Sequence, residues 1–169
     1  MSDPRSQSKF QVRFGWGADS PVAIAAHVLV WCDALPTGHS IPSFDGAIIA
    51  GSTGSAAATA EWILQLQQRL GDRAIVAVVA AGTDAGGFAV EDLLAAGAVI
   101  DALATVGIDF NSPEAAAACA AYEGLRTATL HLTSASETGQ LVGAETLAGA
   151  KALNSEPSVR VLREFSFDA

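Results

Sequence analysis

The chain reads as an α/β domain of three layers, in which a short, mostly parallel sheet is flanked by helices. Continuous apolar runs at 28–32, 47–50 and 74–79 have the character of strands buried on both faces. Glycine-containing turns and amphipathic stretches follow two of them. Strand, loop and helix therefore recur in the order that gives parallel strands with right-handed crossovers. A chain of 169 residues is long enough for one domain with a substantial core, expected over residues 10–169 behind a disordered lead-in at 1–9.

Taken in order, residues 10–16 alternate apolar and polar side chains, the period of a half-buried strand. Gly17 ends it, and Ser20 with Pro21 reads as the start of a short helix running to about His27. The run Val28-Leu-Val-Trp-Cys32 ends at Asp33, and residues 34–45, with Pro36, Gly38, Pro42 and Ser43, read as a loop. A strand at 47–50 runs into Gly51-Ser-Thr-Gly-Ser55 and then a helix at 56–70. Thr59, Trp62, Ile63, Leu66 and Leu70 share one face of that helix. The strand at 74–79 leads to a glycine-rich loop at 81–87 and a helix at 88–106. This helix is apolar almost all the way round, with Glu91 and Asp92 in its first turn, so burial is expected, in part against a second copy in a homo-oligomer. Ser112 and Pro113 start a helix reaching about Leu125. Residues 126–152 read as helical with breaks at Gly139 and Gly143, and 159–167 as a terminal strand or pair of strands.

Composition removes several function classes. Nine Lys and Arg face eighteen Asp and Glu, a formal charge of -9, and the basic residues are scattered. A phosphate backbone is held by clustered cations, so nucleic acid is not an expected partner. No apolar run approaches the roughly 20 residues of a membrane span, because Glu91, Asp92, Asp101 and Asp109 interrupt the longest one. The opening residues are polar and lack the pattern of a signal peptide, which makes the cytoplasm the expected location. Cys32 and Cys119 fall in unrelated segments with no metal-type spacing and read as small buried hydrophobes.

The candidate chemistry gathers where parallel sheets bind ligands, outside the carboxyl ends of the strands. Gly51, Ser52, Thr53, Gly54 and Ser55 stand between a strand and a helix, where free backbone N–H groups suit an anion. Gly82, Thr83 and Asp84 hold the same position after the next strand. The first of these loops also has a plain reading as a tight turn with a Ser or Thr cap. Asp33, Glu91 and Asp92 are the carboxylates best placed to meet at the mouth of the sheet, where one or two carboxylates and several waters hold Mg²⁺. The acidic pair also has a plain explanation, because a helix dipole favours acids in the first turn. His39 shares its loop with Ser40 and Ser43, but nothing local selects it. His131-Leu-Thr133 has no second copy of its motif to face, and no GxSxG element is present.

Two stretches resemble a known family. Val12-Arg-Phe-Gly-Trp-Gly17 followed by Val28-Leu-Val-Trp-Cys-Asp33 is similar to the opening of the 2-phosphosulfolactate phosphatases. So is Val90-Glu-Asp-Leu-Leu-Ala-Ala-Gly-Ala-Val-Ile-Asp-Ala-Leu103, with Ser112-Pro-Glu-Ala-Ala-Ala117. The resemblance implies a Mg²⁺-dependent hydrolase of a small anionic phosphomonoester, with Asp33 matching the family's strand-end aspartate and Glu91 and Asp92 its acidic pair. The chain also departs from the pattern. Residues 34–45 pass almost directly to the strand at 47, where the family carries a further α/β stretch. Ala81-Gly-Thr-Asp84 stands in place of Ala-Gly-Glu-Arg, Gly54-Ser55 in place of Arg-Asn, and Gly139-Gln-Leu141 in place of Gly-Arg-Glu-Leu. These losses of arginine frame the alternative, an inactive relative that binds a small anion or serves as an oligomeric interaction protein.

Overall fold

The computed structural model describes residues 3–84 and 86–167. Five strands, β1 (Val12–Trp16), β2 (Val28–Cys32), β3 (Ala47–Ala50), β4 (Val76–Ala80) and β5 (Arg160–Arg163), form one sheet in the order β1-β4-β2-β3-β5. Pairings among the first four are parallel, and β5 joins β3 antiparallel. Every residue of β2 and β4 is buried, which is why those runs carry no alternation in sequence. β5 is mostly exposed and mixes charged with apolar residues, as an edge strand does.

One face of the sheet carries the main core. Helix α1 (Ala56–Leu70) buries Thr59, Ile63 and Leu66 there and ends at Gly71, whose left-handed φ of 67° lets its N–H reach the carbonyls of Gln67 and Gln68. Helix α2 (Val90–Thr105) is buried from Glu91 to Leu103 on nearly all sides. It lies between the sheet and α3 (Pro113–Leu125), with Gly97 as the close point: a Cβ there would stand 2.3 Å from the Ala118 carbonyl oxygen. The apolar circumference of α2 is thus covered within the chain, which removes the reason for expecting a second copy against it. Ser112 caps α3 by accepting the Ala115 N–H; α4 (Thr129–Ala135) packs on α2, α5 (Glu137–Leu141) on α4, and α6 (Ala144–Asn154) follows. Ser136 and Gly143, not Gly139, break the 126–152 region; Gly139 lies inside α5 and donates its N–H to the Ser136 hydroxyl.

The opposite face has a thin third layer. Leu29, Trp31, Ile48, Ala77 and Val79 are covered by Val22, Ala23, Ala26 and Phe44. The helix expected from Ser20 to His27 is a single 3-10 turn, Pro21–Ala23. Ser20 makes no side-chain cap there, and Ala25 turns back at a φ of 55°. His27 therefore ends no helix; its Nδ1 accepts the Ile75 N–H at 2.9 Å. The lead-in is ordered over residues 3–9. Gln7 accounts for this: its amide donates to the Phe14 carbonyl and accepts the Phe14 N–H, lengthening the hydrogen-bonded edge of β1. Met1 and Ser2 lie outside the described residues. Among the described residues no helix is long and apolar enough to cross a membrane.

Candidate active site

A cleft of about 240 Å³ opens at the carboxyl ends of β2 and β3. Asp33, the first residue after β2, lies on its wall with His39, Asn154 and Arg160. Parallel pairing brings the ends of β2, β3 and β4 to one side of the molecule. The antiparallel return of β5 sets Arg160 opposite Ala50, so a residue from the far end of the sequence lines the same cleft.

His39 sits between two carboxylates, with Nδ1 3.6 Å from Asp33 Oδ2 and Nε2 3.5 Å from Asp84 Oδ1. At 3.6 Å the first contact is electrostatic and not a hydrogen bond, and Nδ1 is buried without a hydrogen-bond partner. Asp84 is itself placed by the Thr37 hydroxyl, which donates to its Oδ1 at 2.8 Å. Burial pushes the Asp33 carboxyl above the ordinary range, the imidazole pulls it back, and Glu91 and Asp84 push it further up. Asp33 is thus a stronger base than an exposed aspartate.

The acidic pair at the start of α2 divides into two roles. Asp92 is 2% exposed, and each of its oxygens accepts a backbone N–H at 2.8 Å, Oδ1 from Ala34 and Oδ2 from Gly82. It braces the end of β2 against the end of β4. Burial pushes its carboxyl up to about 8, against the two amide donors that hold it down. Glu91 is equally buried, but its Oε2 has no partner. It borders a void of about 20 Å³ shared with Thr133, Lys151 and Asn154, enough for about one water. Lys151 donates to the Ser134 hydroxyl.

The two loops expected to cradle an anion have spent most of their donors internally. In the first, the Gly51 N–H goes to the Trp31 carbonyl, the Gly54 N–H to the Asn154 carbonyl and the Ser55 N–H to the Ser52 hydroxyl. In the second, Gly82 donates to Asp92, Thr83 to the Gly87 carbonyl, Gly86 to the Thr83 carbonyl and Gly87 to the Thr83 hydroxyl. Gly51 is required by packing, because a Cβ there would come within 2.7 Å of Cys32 Sγ and of Val30. Gly54 lets the loop press against the end of α6, where a Cβ would meet the Asn154 carbonyl at 2.6 Å.

The profile of one protein family, 2-phosphosulpholactate phosphatase, matches residues 39–152. The chain belongs to the 2-phosphosulpholactate phosphatase family. The match spans His39, both strand-end loops and the acidic pair of α2, and Asp33 and Arg160 lie outside it. No curated protein matches the chain. In this member of the family Asp33, Glu91 and Asp92 interact electrostatically, but their oxygens do not close into one tight ligand group. Among the described residues the grouping of three that does is Asp101, Cys119 and Glu123. It lies about 15 Å further along α2, ten residues on from Glu91 at the rise of an α-helix. Sequence reasoning named His39 without a reason to select it and passed over Asn154 and Arg160. The terminal strand was visible, but not that its pairing would carry Arg160 to the cleft.

Proposed function

We propose that this member of the family is a phosphatase-like hydrolase of a small anionic phosphomonoester, working in the cleft beside Asp33. The observation that carries this reading is that the Asp33–His39 pair and Arg160 line one open cleft at the strand ends. In the proposed reaction Arg160 holds phosphoryl oxygens through its planar fork of donors. Asp33 takes a proton from the attacking water as its oxygen bonds to phosphorus. His39 gives a proton to the ester oxygen as that P–O bond breaks, so alcohol and inorganic phosphate leave.

In this reading Asp33 and Glu91 would hold a Mg²⁺ ion: Glu91 Oε2 has no partner and the two carboxylates repel each other, so both would gain from a cation. Asp92, with both oxygens accepting amides, acts in this reading by positioning the Ala34 and Gly82 backbone. The ion when bound neutralises charge on the phosphoryl oxygens. The test is phosphate release from 2-phosphosulfolactate and a panel of small phosphomonoesters, with Mg²⁺ and then with chelator. Chelator-sensitive turnover is expected, and Glu91→Gln is expected to weaken Mg²⁺ binding. The spent loop donors and the single arginine at the cleft favour the second reading, an inactive anion-binding relative. Folded protein that releases phosphate from none of these esters would establish it.

A further inference from the structure

Resting on that reading of the cleft, we infer that its preferred ligand is a monophosphate ester of an apolar alcohol and not a polyanion. The lining falls into two parts. Asp33, His39 and Arg160 supply charge to it, while Trp31, Ile41, Leu153 and Leu162 supply apolar lining. Three of these apolar residues are left open to solvent, with Ile41 48% exposed, Leu153 42% and Leu162 43%. A largely apolar lining with a few charged groups is the pattern of a site that buries an apolar body and orients it by polar contacts.

Charge points the same way. The name 2-phosphosulfolactate describes a molecule with a phosphate, a sulfonate and a carboxylate. Arg160 can pair with one of these. Asp33 stands in the cleft and Asp84 beyond His39, on a chain with a net charge of -9. Beyond Arg160 and the one ion that the proposed reading places at Asp33, the further anionic groups would meet carboxylates or apolar residues, which is how a site rejects a ligand. Size sets the alcohol. A cavity of about 150 Å³ holds benzene, so a cleft of about 240 Å³ accepts a ring with a phosphate attached.

The test is equilibrium binding of phenyl phosphate, 2-phosphosulfolactate and inorganic phosphate to the full chain by calorimetry, with hydrolysis of the two esters followed in parallel. Phenyl phosphate should bind roughly 10-fold or more tightly than 2-phosphosulfolactate, the discrimination that a few apolar contacts supply. Leu153→Ser with Leu162→Ser, both at half-exposed positions, should erase that preference and leave inorganic phosphate binding unchanged. Ile41→Ser, in the loop, is a second variant that should weaken the preference without touching helix or strand. Equal or tighter binding of 2-phosphosulfolactate, a preference untouched by these changes, or no binding of any probe would each overturn the inference. The two claims fail separately. Preferred binding without hydrolysis would keep the ligand class and end the phosphatase reading. Hydrolysis without the preference would do the reverse.

Discussion

At the carboxyl end of β2, Asp33 and His39 face an open cleft, with a buried imidazole nitrogen unbonded and a carboxyl raised by its surroundings. At the carboxyl ends of β3 and β4, the 51–55 and 82–87 loops turn their donors inward onto Trp31, Asn154, Asp92 and their own residues. All three places satisfy the same topological rule for ligand sites in parallel sheets. What separates them is where the polar groups go. A loop whose amides are paired has little left to offer an anion, whereas buried polar groups without partners need an explanation. The difference teaches that strand-end position nominates a site and hydrogen-bond accounting selects it.

The largest effect that would sharpen this contrast is at Asp33. Asp33→Asn should lower kcat by roughly 10²–10⁴-fold, the range for a lost general base, with little change in melting temperature. A loss of less than tenfold would move the chemistry away from β2. The next concerns Asp92, which the account makes a brace. Asp92→Ala strands two buried amides and should cost about 2–4 kcal/mol in denaturant unfolding. Its raised carboxyl has a pH signature as well. The native state holds this proton up to about pH 8, while the unfolded chain releases it near 3.8. The contribution to stability is therefore complete below about pH 4 and is lost as pH rises toward 8, by up to about 1.4 kcal/mol per pH unit. Asp92→Asn should flatten that slope, and an unchanged slope would place the titration elsewhere. The smallest effects belong to the loops. Ser52→Ala and Thr83→Ala each remove a hydroxyl that accepts a backbone N–H, at a cost of about 1 kcal/mol in stability, with activity nearly unchanged. A large fall in activity in either would restore the loops as anion cradles.

Much of the frame was legible because local pattern and final environment agree. β2 was a continuous apolar run since it is central, and α1 showed its buried stripe. α2 was readable as buried but not as buried by α3, since the covering depends on Gly97 meeting Ala118 across the chain. The Ser20–Pro21 signal was genuine but yields one turn, because the chain must reverse at Ala25 to enter β2. In the site, Asp33 could be found from its place after a strand. His39 could not, as its significance lies in two carboxylates brought to it by folding. Arg160 was hidden for the same reason: it reaches the cleft only through the antiparallel pairing of β5 with β3. Asp92 was found, but not its bonds to the Ala34 and Gly82 amides, since an acid in a first turn looks the same whether it ligates an ion or accepts amides.

The most direct test of the central claim is an amide-resolved NMR titration of the chain with phenyl phosphate. The account predicts shifts at residues 33–41, at Asn154 and along 160–162, with the 51–55 and 82–87 amides nearly still. Shifts confined to those two loops, with the Asp33 cleft unmoved, would contradict it.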